Sequence, residues 1–297
     1  MALAIFLGLI VVMAAISART IRRRYLFICK GDCLFSKILN EKRNIWVYLP
    51  DGEDTEPNQQ QYPVVYLLDA DEHYAAFRET IQQLNADGSR IFPDMIVVGI
   101  TNTNRNRDLT PSHSRTGAKG KKMKGFKPAG GGDNFIAFIK EELIPYVASK
   151  YPVTSERILM GHSLGGLTVI NILLHRPEIF NGYIASDPSM WWDNQLMLDE
   201  ARQLLNKKRF DGKTLYFSIA NTVPGGVDIA QIRKDTSSKM SHIQSVFELA
   251  DILEGNPDNG LQFGYKFYDQ DNHDSVAMKT AYDGMQFLMK QPVDKQL

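Results

Sequence analysis

The sequence predicts an α/β domain with a mostly parallel central sheet, helices on both faces and an N-terminal antiparallel hairpin. Three observations lead there. Apolar runs of strand length alternate with helix-length stretches from Val64 almost to the C-terminus. A glycine-rich turn, Gly161-His-Ser-Leu-Gly165, joins one such run to one such helix. The 297 residues are 43% hydrophobic, enough for one sizeable core without division into further domains.

Taken in order, Ser36 to Pro50 holds two short apolar runs around a polar turn, Asn40 to Asn44, and reads as the hairpin. A polar loop follows, then strand Val64 to Leu68, helix Glu72 to Leu84 and strand Met95 to Ile100. Asp133 reads as the N-cap of a helix over Asn134 to Ser149, whose apolar residues Phe135, Phe138, Ile139, Leu143 and Val147 keep helical spacing, with a kink expected at Pro145. Strands Ile158 to Met160, Tyr183 to Ala185, Thr214 to Ala220 and Gln262 to Tyr268 alternate with helices Leu164 to Leu174, Leu196 to Leu205, Ser238 to Leu253 and Ser275 to Met289. Near-continuous apolar strands of this kind are those of a parallel sheet covered on both faces.

The segment before residue 36 is of another kind. Residues 2–16 are almost continuously apolar and are followed by Arg19, Arg22, Arg23 and Arg24. A spanning helix needs roughly 20 apolar residues and a signal-peptide core about 7 to 15, which favours export and a periplasmic or secreted place. The basic cluster after the run suits an uncleaved membrane anchor. The expected division is 1–18 as signal peptide or anchor, 19–35 as linker and 36–297 as the single folded domain. Cys29 and Cys33 have no further Cys/His pair at zinc-site spacing. The balance of 34 basic and 34 acidic side chains gives no ground for nucleic-acid binding.

Serine in a strand–turn–helix G-x-S-x-G is the arrangement of an exposed nucleophile, with small residues required on either side of a strained turn. Here Ser163 is that serine, Gly161, Gly165 and Gly166 supply the room, and the amide of Leu164 at the helix start is an oxyanion donor. A second donor is expected from the loop after the first parallel strand, at the amide of Asp71.

The base of such a serine follows the last strand, and His273 is the one histidine there. The acid is less determinate. It is expected just after strand Leu215 to Ala220, where Asn221, Thr222 and Val223 stand instead. Asp228 is the nearest carboxylate; Asp235 comes next, and a Ser–His dyad or an acid from elsewhere, such as Asp187 or Asp271, are the remaining alternatives. Each aspartate could equally be a helix cap or a solvated loop residue.

From Ser36 to the C-terminus the chain resembles the esterase family of α/β hydrolases that includes the ferri-siderophore esterases, with feruloyl esterases and S-formylglutathione hydrolase as distant relatives. The resemblance is carried by Ser36-Lys-Ile-Leu-Asn-Glu-Lys-Arg, Val47-Tyr-Leu-Pro, Val64 to Asp71, Arg107-Asp-Leu-Thr-Pro111, Gly161 to Gly166, Asp187-Pro-Ser-Met-Trp-Trp192 and Asn272-His-Asp-Ser-Val276. It implies the α/β-hydrolase fold, carboxylic-ester hydrolysis through an acyl-enzyme, no metal or organic cofactor, and a small-molecule ester substrate in a pocket walled by Trp191 and Trp192. Core packing is the competing reading of both tryptophans. Arg107 belongs to a basic stretch, Arg105 to Lys127, that could hold an anionic ferric complex or simply be a solvated loop. Two rivals keep the fold: an acyltransferase using the same nucleophile, and a binding module that has lost its activated serine.

Overall fold

The computed structural model describes residues 30–50, 60–86, 93–114, 116, 129–223, 228–235 and 237–290. The apolar segment 2–16, Cys29 and most of the basic stretch, Arg115 and Lys119 to Lys127, lie outside them. No helix among the described residues is long and apolar enough to cross a membrane.

Eight strands form one sheet in the order β1-β2-β4-β3-β5-β6-β7-β8. They are β1 (Lys30–Ser36), β2 (Glu41–Tyr48), β3 (Tyr62–Leu67), β4 (Ile96–Ile100), β5 (Val153–His162), β6 (Gly182–Ser186), β7 (Thr214–Ala220) and β8 (Gln262–Tyr268). The first two pair antiparallel, β2 pairs antiparallel with β4, and the remaining six strands are parallel.

The hairpin is shifted from its expected place. Its first strand is Lys30–Ser36, so the sheet begins inside the stretch assigned to the linker, and the turn comes at 37–40. As an edge strand β1 has no need of an apolar run on both faces, and its Phe35 is 54% exposed.

Alternation within each strand divides the core. Val64, Tyr66 and Leu159 face one layer, while Val65, Leu67, Ile158 and Met160 face the other. The second layer is covered by α1 (Ala70–Ala86) through Tyr74, Phe77 and Ile81, and by the C-terminal helix through Ala281 and Met285. The first, larger layer is packed by the helices between β4 and β8. The order of introduction continues with α2 (Arg105–Asp108), then α3, built from Gly132–Phe138, Ile139–Leu143 and Ile144–Lys150. The rest are α4 (Leu164–His175), α5 (Trp192–Leu204), α6 (Ile229–Lys234), α7 (Ser241–Glu254) and α8 (Val276–Lys290).

Two details of α3 differ from expectation. Its N-cap is Gly131, with Asp133 in the first turn, where a carboxylate suits the helix dipole. The expected kink is instead a π turn at Ile139–Leu143, which ends two residues before Pro145. A proline ring clashes with the carbonyl four residues back, and the wider turn gives that carbonyl room. The π turn also aims Glu142 at the hairpin, where it accepts from Ser36 Oγ (2.5 Å) and from the amides of Lys37 (2.9 Å) and Ile38 (3.2 Å).

The register matters most for function. His162, the last residue of β5, is level with Ser186, the last of β6, and Ala220 of β7 is level with Tyr268 of β8. The residues that follow these strands therefore emerge side by side at the carboxyl edge of the sheet, where open α/β sheets hold their ligands.

Candidate active site

At the end of β5 the chain reverses into α4 through Ser163, which has φ 59° and ψ −115°. A non-glycine residue in that region is strained and persists only where its surroundings hold it. Ser163 N–H donates to Ser186 O (3.0 Å), while Ser163 O accepts from the amides of Leu167 (2.9 Å) and Ser189 (3.0 Å). The turn is tight enough that a Cβ on Gly161 would lie 2.5 Å from the carbonyl carbon and oxygen of Gly165. A Cβ on Gly166 would meet Pro188 at 3.0 Å.

Ser163 Oγ lies 3.0 Å from His273 Nε2 and 3.2 Å from Ser189 Oγ. On the far side of the same ring, His273 Nδ1 lies 2.6 Å from Asp187 Oδ2. Burial pushes the Asp187 carboxyl up, but the hydrogen bonds of His242 and His273, with the charge either ring carries when protonated, outweigh it and hold the group well below its ordinary value. Asp187 is therefore an ionised acceptor, and the proton between it and His273 sits on Nδ1. That leaves Nε2 as the nitrogen with a lone pair toward the Ser163 hydroxyl.

The carboxylate that the structure brings to His273 is Asp187, not the first one the sequence offers. Asp187 follows β6 rather than β7, and its other oxygen, Oδ1, accepts from Ala220 N–H at the end of β7 (3.0 Å). Asp228, the first choice, is instead the N-cap of α6, its Oδ1 accepting from Ala230 N–H (3.1 Å). Asp235 accepts from the amide of Ser237, and Asp271 is engaged by Ser275 and Lys279. Asn221, which stands where the acid was expected, donates its amide to Asp271 O (2.8 Å).

Two further histidines surround His273, and no motif in the sequence marks them. His162 Nε2 lies 2.8 Å from His273 O, and burial together with nearby His273 pushes its pKa down to about 4. The neutral ring then donates from Nε2 and pins the loop that carries His273. His242, on the first turn of α7, places Nε2 2.8 Å from Asp187 Oδ2, so that one carboxylate oxygen serves two imidazoles. These two rings stand 5.0 Å apart, edge to face. Asp187, His242 and His273 have the residue types of a metal site, yet the hydrogen-bond distances among them account for the arrangement directly.

Leu164 and Asp71 lie in the first turns of α4 and α1, where amide groups have no acceptor within their own helix. Both helices start at the carboxyl edge of the sheet, after the neighbouring parallel strands β3 and β5. The loop entering α1 is fixed by Asp69, buried at φ 53°. Its carboxylate takes a bidentate pair from Arg105 (2.7 and 2.8 Å) and a bond from Asn102 Nδ2 (2.8 Å). The Asp71 carboxylate meanwhile accepts from the amide of Asn102 (2.6 Å).

Three pocket expectations are revised. Arg107 does not offer a free guanidinium: it is paired with Glu41 (2.6 Å) and Asp108 (2.7 Å), beside the buried pair of Arg43 with Asp108 (2.6 Å). Arg105 is likewise spent on Asp69. Trp192 is fully buried in the core, its indole donating to Ser112 Oγ (3.0 Å), whereas Trp191 is only partly buried beside it.

The comparisons with known proteins agree with this geometry. Residues 36–220 match the Putative esterase family. The chain is 29% identical over 192 residues to the ferri-bacillibactin esterase BesA of Bacillus subtilis, covering 61% of this chain and 66% of that protein. It is 33% identical over 158 residues to the siderophore enterobactin esterase of Emericella nidulans, covering 48% and 51%. These matches span between half and two thirds of the relatives' length. Among solved structures, an IroE-like serine hydrolase from Shewanella oneidensis superposes with a TM-score of 0.79 at 33% identity, covering 89% of this chain and 80% of that one. The sheet order, the turn at Ser163 and these matches together make the chain an α/β-hydrolase-fold member of the Putative esterase family.

Proposed function

We propose that this protein hydrolyses a carboxylic ester through an acyl-enzyme on Ser163, with His273 as general base and Asp187 as the acid that orients it. The observation that carries this reading is the continuous line Ser163 Oγ, His273 Nε2, His273 Nδ1, Asp187 Oδ2, at 3.0 and 2.6 Å. Ser163 Oγ attacks the ester carbonyl while its proton passes to His273 Nε2. The positive ring is stabilised by Asp187, which keeps its negative charge throughout. The oxyanion of the tetrahedral intermediate is held by the amides of Leu164 and Asp71. Collapse expels the alcohol, which takes the proton from Nε2, and a water activated by the same histidine then releases the acid.

For the substrate we propose a siderophore-type ester. Support comes from the relatives, named as esterases of ferri-bacillibactin and enterobactin. The site is open at the carboxyl edge of the sheet, with the His273 side chain about a third exposed. The test is hydrolysis of a ferric trilactone siderophore beside p-nitrophenyl esters of rising chain length, in the parent, Ser163→Ala and His273→Ala. Cleavage of the trilactone by the parent and loss in both variants is the expected result. Parental activity confined to the p-nitrophenyl esters would overturn the substrate class, and activity surviving in Ser163→Ala would overturn the mechanism.

A further inference from the structure

Asp187 carries more than an orienting acid needs. It follows β6 in a left-handed conformation, φ 38°, with no exposed surface. A carboxylate so placed has lost its water and must be satisfied by protein donors. Oδ1 receives one, from Ala220 N–H. Oδ2 receives two, from His273 Nδ1 at 2.6 Å and from His242 Nε2 at 2.8 Å. The backbone amide of Asp187 is itself held by Ser218 Oγ at 3.0 Å.

The two donors on Oδ2 stand on different footings. His273 comes from the loop after β8 and must change its protonation during turnover. His242 comes from the first turn of α7, a helix packed against β7 and α5. Its carbonyl is engaged by Ser245 Oγ (2.6 Å). No sequence rule for this fold calls for a second imidazole there, and the reaction as written gives it no proton to carry.

We propose that His242 is a positioning residue that fixes the Asp187 carboxylate through a second hydrogen bond to the oxygen that faces the base, Oδ2, a role that rests on the esterase reading above. The choice of residue type is physically apt. A lysine or arginine at this point would cancel the charge that stabilises the His273 imidazolium. An imidazole donating one N–H restrains the carboxylate and leaves its negative charge in place for the base. Without that donor, Oδ2 is held by His273 alone and the carboxylate keeps one fixed partner, Ala220 N–H on Oδ1, so the hydrogen bond that sets the tautomer of His273 is less tightly held to one direction.

His242→Gln puts an amide N–H near the place of Nε2, and His242→Met has similar length with no donor, so the pair separates donation from bulk. His242→Met is expected to lower kcat by about 10- to 100-fold with KM within about twofold, the fold-change that corresponds to one hydrogen bond to a charged group. His242→Gln should recover most of the loss. In an Asp187→Asn background, His242→Met should have no further effect on kcat, because its route to the base has already been removed. The far-downfield proton resonance of His273 Nδ1–H should persist in the parent and His242→Gln and be shifted or lost in His242→Met. Parental kcat and an unchanged resonance in His242→Met would overturn the proposal, as would full multiplicative losses in the double variant. A parent that hydrolyses no ester would sink the esterase reading, and the resonance would still decide the role of His242.

Discussion

Asp187 Oδ2 stands 2.6 Å from Nδ1 of His273, and the carboxylate reaches it from the end of β6, one strand away from the position expected of an acid in this fold. The relationship follows from register: Ser163 and Asp187 each follow the last residue of two paired, level strands, so both side chains reach the His273 ring that arrives after β8.

Asp187→Asn should therefore lower kcat by about 10³- to 10⁴-fold, because an amide can present its N–H to Nδ1 and leave the proton on the wrong nitrogen. Asp228→Asn should leave kcat within about twofold and cost about 1 kcal/mol or less, since asparagine caps a helix nearly as well. Steady-state kinetics and chemical denaturation of the two variants separate the assignments.

His162 takes a proton in the folded protein only near pH 4, whereas the unfolded chain takes it below about 6.5. A base with a lowered folded pKa makes stability fall as pH drops through that window, here by about 2–3 kcal/mol between pH 7 and 4.5. Denaturation midpoints at the two pH values should show a smaller loss of stability in His162→Gln than in the parent, by about that amount.

Arg105 forms a bidentate pair with buried Asp69 next to the amide of Asp71. Arg105→Met strands the carboxylate and should destabilise the protein by about 3–5 kcal/mol. Arg105→Lys should recover only part of this, since an ammonium cannot reproduce the fork. Thermal unfolding of both variants gives the comparison, and kcat should fall in step if the loop entering α1 supplies an oxyanion donor.

Gly161→Ala forces a Cβ to within 2.5 Å of backbone atoms of Gly165, and neither partner can yield without opening the turn. The expected cost exceeds about 3 kcal/mol. At Gly165 the nearest atom to a Cβ is Asp69 Oδ2 at 3.1 Å, a side-chain atom, so Gly165→Ala should be the milder change. Expression yield and denaturation midpoints rank the two.

The parts of this site that the sequence discloses are those set by local geometry. The turn at Ser163 needs glycines at fixed offsets, and His273 stands alone after the last apolar strand, so both are legible. The parallel strands are legible because burial on both faces leaves continuous apolar runs. Strand β1 is not, since an edge strand reading Lys-Gly-Asp-Cys-Leu-Phe-Ser carries no such run. Asp187 and Asp228 are alike as residues, and only the level ends of β5 and β6 distinguish them. The contacts of His242 with Asp187 and of Arg107 with Glu41 join segments far apart in the chain, so no spacing along it announces them.

The most direct test of the central claim is fluorophosphonate labelling of the parent, mapped by peptide mass and followed alongside ester turnover. The account predicts a single adduct on Ser163, with turnover lost in proportion to labelling and no adduct in Ser163→Ala. An unlabelled parent, or full turnover after complete labelling of Ser163, would contradict it.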